Sequence, residues 1–231
     1  YVHWPYCARI CPYCDFNVYA AKARDTAPLF DAILRDLEGW RSRTGKRQAD
    51  TVFFGGGTPS LMTGDQVARV LEKVDALWGL KPGAEVTLEA NPGDVARFAD
   101  FAVAGVNRLS LGVQSLNDKL LKFLGRTHSA VDAIRAFEAG RGKFRSTSID
   151  LIYALPNQTV GDWRAELAGA IALEADHLSP YELSIEPGAA FARAVERMAW
   201  MPLDDETAAD LYEATQELTE HAGYSAYEIS N

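Results

Sequence analysis

Short apolar runs alternate along the chain with longer stretches in which apolar positions recur every three or four residues. The runs at 1–4, 51–54, 85–89, 108–113, 147–153 and 177–185 predict strands. Helices are predicted over 26–43, 64–78, 95–104, 119–124, 130–139, 161–174 and 204–221. In the first, Thr26 serves as N-cap, Pro28 fits the opening turn, and Leu29, Ile33, Leu37 and Trp40 share one face. In the second, Val67, Val70, Leu71, Val74 and Leu77 repeat at helical spacing. A last short strand is expected over 226–230. The stretch 186–203, with Pro187-Gly188 and Pro202, is the least regular part.

Strands that alternate with helices of this length make parallel βαβ units. Six such strands, several with glycine at their C-terminal ends, predict an α/β fold, a partial or complete parallel β/α barrel. A doubly wound open sheet is the alternative. Either architecture puts the site at the C-terminal ends of the strands. Residues 1–185 are expected to form the barrel and 186–231 an extension. Because the sequence stops on the strand-like Ile229-Ser230-Asn231, a further C-terminal domain is expected after it.

At 231 residues the chain buries enough surface to need no disulfide staples. Lys plus Arg number 23 and Asp plus Glu 32, for a net charge of −9. That balance argues against an electrostatic nucleic-acid binder. No apolar run has the length of a membrane helix and the first residues make no signal peptide, so a cytoplasmic chain is expected.

The cysteines change the picture. There are three, Cys7, Cys11 and Cys14, all within the first fourteen positions and directly after a predicted strand. An odd number in one loop is a poor disulfide framework, and thiolates at C-x3-C-x2-C spacing suit zinc or an iron–sulfur cluster. Zinc would have to recruit a fourth ligand such as His3. Three thiolates on a [4Fe–4S] cluster leave one iron open to a small molecule. The bland alternative is three unrelated buried thiols. Gly55-Gly56-Gly57 ends a predicted strand and lets backbone approach a ligand closely. Glu89 and Asp150 offer carboxylates, Gln114 a donor and an acceptor, and Arg126 a planar fork for a carboxylate. Of the histidines, His3 is expected to order the cysteine loop, and His128, His177 and His221 are not expected to bind a ligand.

The loop resembles the cluster-binding signature of radical S-adenosylmethionine (SAM) proteins. Its flanks, Tyr1-Val2-His3-Trp4-Pro5-Tyr6 and Pro12-Tyr13-Cys14-Asp15-Phe16, are similar to the oxygen-independent coproporphyrinogen III oxidase group. The likeness continues through Phe53-Phe54-Gly55-Gly56-Gly57-Thr58-Pro59-Ser60, Glu89-Ala90-Asn91-Pro92-Gly93 and the segment from Gly105 to Ser115. It runs on through Leu124-Gly125-Arg126, Asp150-Leu151-Ile152-Tyr153-Ala154-Leu155-Pro156 and Tyr227-Glu228-Ile229-Ser230-Asn231. Decarboxylating oxidases carry a further cysteine two positions after the third ligand. Phe16 stands there, as in the HemW-type heme chaperones.

The resemblance implies a partial (β/α)6 barrel in which Cys7, Cys11 and Cys14 hold a [4Fe–4S] cluster. It implies Tyr1, Gly56 and Glu89 at a first SAM position, and Tyr13, Gly57, Thr58, Gln114, Arg126 and Asp150 at a second. Heme and a heme-acceptor protein are the implied partners of the full-length protein. An oxidase of porphyrin biosynthesis is the alternative.

Overall fold

The computed structural model describes residues 1–21 and 25–229. Its main sheet has six strands, all parallel: β1 (Val2–Trp4), β4 (Ala49–Gly56), β5 (Leu80–Ala90), β6 (Arg108–Gln114), β7 (Ser146–Tyr153) and β8 (His177–Glu182). Their spatial order is their order along the chain, and each neighbouring pair is parallel. A doubly wound sheet reverses its strand order at a switch point; this one does not, which settles the choice in favour of a partial barrel.

Alternation along the strands separates the two faces of the sheet. Val86, Leu88, Leu109, Leu111, Val113, Ile149 and Leu151 are buried in the main core beneath the helices. Their neighbours on the other face are polar: Thr87, Glu89, Ser110, Ser148 and Asp150. Glu89 pairs in register with Ser110, and Ser110 with Ser148. The concave face is thus a row of hydroxyls and carboxylates, and β6 and β7 bring it to the C-terminal rim.

The covering helices are α1 (Ala27–Thr44), α2 (Gly64–Trp78), α3 (Phe98–Ala104), α4 (Asp118–Phe123), α5 (Ala130–Arg141), α6 (Val160–Ile171), α7 (Ala190–Glu196) and α8 (Asp205–His221). Thr63, Ser129 and Thr159 start α2, α5 and α6 with reciprocal capping boxes. Trp163 of α6 stacks on Tyr153 and donates through Nε1 to Thr215 Oγ1 of α8 at 2.7 Å. That bond ties the last helix to the barrel wall.

Several expectations need correction. Trp40 shares the apolar face of α1 as expected, but the last turn outruns the core, and Trp40 lies exposed under the Arg43 guanidinium. The helix expected over 95–104 begins instead as a 3-10 turn, Pro92–Arg97, because Asn91 and Asp94 cap each other ahead of α3. Residues 226–229 form no strand; Tyr227 and Ile229 are exposed, and Tyr227 engages His177 on edge strand β8 through its hydroxyl. Ser230, the end of that expected strand, lies outside the described residues, as does Asn231. The irregular stretch after residue 186 contains α7, whose Phe191 packs between Phe123 and Trp200.

Candidate cofactor-binding site

The cysteine loop is held by backbone at both ends. It leaves β2 (Tyr6–Cys7) and returns through β3 (Tyr19–Ala20), a parallel pair too short to be legible as periodicity. Gly57 N–H donates to Trp4 O at 2.7 Å and Thr58 N–H to Tyr6 O at 2.9 Å, so the glycine strand end grips the start of the loop. Phe191 N–H donates to Pro12 O at 2.9 Å, so α7 clamps its far side. His3 orders the base as expected. Its Nε2–H donates to Asn17 O (3.2 Å), and its Nδ1 accepts from the Tyr1 hydroxyl (3.3 Å).

The glycines are required for a reason beyond ligand approach. A Cβ on Gly56 would stand 2.6 Å from the His3 ring, and one on Gly57 would stand 2.8 Å from Tyr6 O and 3.0 Å from Cys7 Sγ. The triplet therefore makes room first for the cysteine loop itself.

Between this loop and the strand ends lies a cleft of about 340 Å³, a small-molecule size. It gathers Cys7, Cys11, Cys14, Tyr13, Gly56, Gly57, Thr58, Glu89, Gln114, Arg126 and Asp150. Tyr1 is not among the lining residues; it is 75% exposed and stacks on Phe53 outside. Asn91 and Ser110, which lie within matched segments but had no role assigned, also line the cleft, as do Tyr181 and Ser184, which no motif marked. For Tyr181 and Ser184 the only signal was position, in the second half of β8 and just beyond it. Phe16 stands at the rim, 64% exposed, whereas Trp4 is buried in the core.

The three thiols are unpaired with one another. Burial pushes those of Cys7 and Cys14 up from the ordinary thiol range, so they stay protonated until a metal displaces the proton. Among the described residues no three His, Cys, Asp or Glu side chains close on one point as ligands of a single ion would. A cluster of several irons sets its ligands farther apart. With His3 committed to Asn17 and Tyr1, the thiols fit a cluster better than a four-ligand zinc site.

The carboxylates lie deep in the barrel. Gly56 N–H donates to Glu89 Oε2 at 3.1 Å, and Ser110 Oγ donates to Asp150 at 3.2 Å. Burial and the neighbouring Asp150 raise Glu89 to about 7; burial raises Asp150 to about 6. Gln114 ends β6 at φ 68°, a left-handed conformation rare outside glycine, at the cleft wall. Because both folded pKa values are raised, these groups stabilise the fold at low pH, and that stability is lost as pH climbs towards 6 and 7. In the ligand-free chain, Glu89→Gln should therefore flatten the decline in urea midpoint between pH 5 and pH 8. A variant whose midpoints track the wild type at both pH values would contradict the buried pair.

A family model described as the radical SAM superfamily matches residues 1–168. The chain belongs to that superfamily. Membership implies a [4Fe–4S] cluster and SAM, and the six-stranded sheet is its partial barrel. This radical SAM chain is 42% identical over 236 residues to the heme chaperone HemW of Escherichia coli (strain K12), covering all of this chain and 61% of that protein. It is 43% identical over 234 residues to the mitochondrial radical S-adenosyl methionine domain-containing protein 1 of Bos taurus, covering all of this chain and 53% of that protein. The chain thus spans a little over half the length of these relatives. Among solved structures, coproporphyrinogen III oxidase (HemN) from Escherichia coli, titled a radical SAM enzyme, superposes with a TM-score of 0.83 at 25% identity. That match covers 96% of this chain and 52% of the other.

Proposed function

We propose that this chain is the cluster- and SAM-binding barrel of a heme chaperone that passes heme to an acceptor protein, such as a respiratory enzyme. The observation that carries the reading is the 42% identity to HemW over the whole of this chain. Phe16, at the cleft rim where decarboxylating oxidases are expected to carry another cysteine, supports it. In this reading Cys7, Cys11 and Cys14 bind the cluster, and Gly56 and Glu89 contact SAM; Tyr1, which the resemblance also places there, stands outside the cleft. Tyr13, Gly57, Thr58, Gln114, Arg126 and Asp150 form the second position. The bound cluster supplies a one-electron donor and one iron without a protein ligand, open to the amino and carboxylate groups of SAM.

The chain's own residues hold and shield. Glu89, ionised once a cation is near, accepts from an ammonium group. Tyr13, packed on Phe191, closes one side of the cleft against water. No helix among the described residues is long and apolar enough to cross a membrane. The proposal keeps the cytoplasm as compartment; since the Bos taurus relative is by name mitochondrial, cell fractionation tests that point separately.

The close superposition on the coproporphyrinogen III oxidase favours a second reading, an oxidase-type radical SAM enzyme. The two separate in one anaerobic experiment on the reconstituted full-length protein. Heme titration should saturate with and without SAM, and coproporphyrinogen III with SAM and dithionite should yield no protoporphyrinogen IX. Turnover of coproporphyrinogen without saturable heme binding would overturn the chaperone reading.

A further inference from the structure

Arg126 is a largely buried cation that belongs to none of the ion pairs among the described residues; Asp150, lining the same cleft, is the carboxylate that feels its charge. A buried charge in that position is costly unless something else compensates it. Both of its terminal nitrogens donate. Nη1 donates to Cys11 Sγ at 3.1 Å and to the Tyr13 hydroxyl at 3.5 Å. Nη2 donates to Gly112 O at 3.2 Å and to Asn91 Oδ1. The turn that carries it is docked on the cysteine loop. Gly125 has φ 69°, and a Cβ there would lie 2.8 Å from Pro12 Cδ. Arg126 N–H donates back to Leu121 O at 2.9 Å, which fixes where the side chain starts.

We infer that Arg126, besides its place at the second position, is a positioning residue of the cluster: it donates to the Cys11 sulfur and raises the cluster's reduction potential. The inference rests on the cluster reading above. The physics has two parts that act in the same direction. Reduction adds negative charge to the cluster, which a guanidinium held in a poorly solvated site favours. A hydrogen bond to a ligating sulfur drains charge from it and also favours the reduced form. Cys11 is the thiol that receives this bond; Cys7 takes its side-chain hydrogen bond from Thr58 instead. Asn91 and Gly112 O, on the other side of the fork, keep the guanidinium plane aimed at Cys11.

The test is a dithionite titration followed by electron paramagnetic resonance, on full-length protein reconstituted anaerobically and held without SAM. Arg126→Gln should lower the equilibrium constant for cluster reduction about tenfold, which is about 59 mV for one electron. Arg126→Lys, which keeps a charge but not the fork, should shift the same way by less. Asn91→Ala leaves the guanidinium in place but loosens its aim, and should also lower the potential. Should Arg126→Gln fail to load iron, the lysine and Asn91 variants carry the test. Loaded variants with the wild-type potential would overturn the inference and leave Arg126 a ligand-binding residue only. A wild-type chain that takes up no iron would overturn the cluster reading itself, and this inference with it.

Discussion

Replacing Cys7, Cys11 or Cys14 with serine should lower iron retention after anaerobic reconstitution by about a hundredfold while leaving the far-ultraviolet circular dichroism unchanged. Even outer-shell changes at metal sites cost ~10–100-fold in affinity, so loss of one of three soft ligands sits at or above the top of that range. The chain has no fourth cysteine to substitute. The fold should survive because the loop is anchored by backbone bonds, Gly57 to Trp4, Thr58 to Tyr6 and Phe191 to Pro12, none of which uses a thiol. Cys7 is buried and serine adds a hydroxyl there, but Thr58 stands ready as a hydrogen-bond partner. Iron bound equally well by all three serine variants would contradict the assignment of the loop.

Trp163→Ala should cost about 3–5 kcal/mol of stability, the range for emptying a large aromatic site in a core. For a domain of this size that is a fall of roughly 6–20 °C in Tm. The indole is fully buried, stacks on Tyr153 with ring centroids 5.2 Å apart, and bonds Thr215 of α8. Its removal therefore loosens α6, α8 and β7 together. Trp163→Phe keeps most of the volume and removes only the bond. Thr215 still donates to Leu211 O at 2.8 Å, so that variant should lose about 1 kcal/mol. A drop below about 1 kcal/mol for the alanine variant would mean that α8 does not depend on this contact.

What was legible in the sequence follows from the range over which each signal acts. The barrel strands announced themselves because each is a sustained apolar run bounded by glycine or a helix, and the cysteine loop because its chemistry is local. Features set by two distant segments were not legible. The β2–β3 pair has too few residues for any period, and the clamp of Phe191 on Pro12 joins positions that nothing in the sequence connects. Trp40 keeps its helix face yet lies exposed, because a helix face says nothing about where the core underneath it ends. Gly56 and Gly57 were recognised as close-approach positions, but the partner that needs the space, the His3 ring and the loop backbone, emerged only from the packing. Arg126 shows the same limit. Its residue type allowed a carboxylate partner, and the fold instead presents it with a cysteine sulfur.

The most direct test of the account is the spectrum of the reduced cluster in the full-length protein with and without SAM. Four irons and four sulfides per chain are expected after reconstitution. The paramagnetic spectrum should shift when SAM is added, because three thiolates leave one iron for it. Stoichiometric zinc in place of iron, or a cluster spectrum unmoved by saturating SAM, would contradict it.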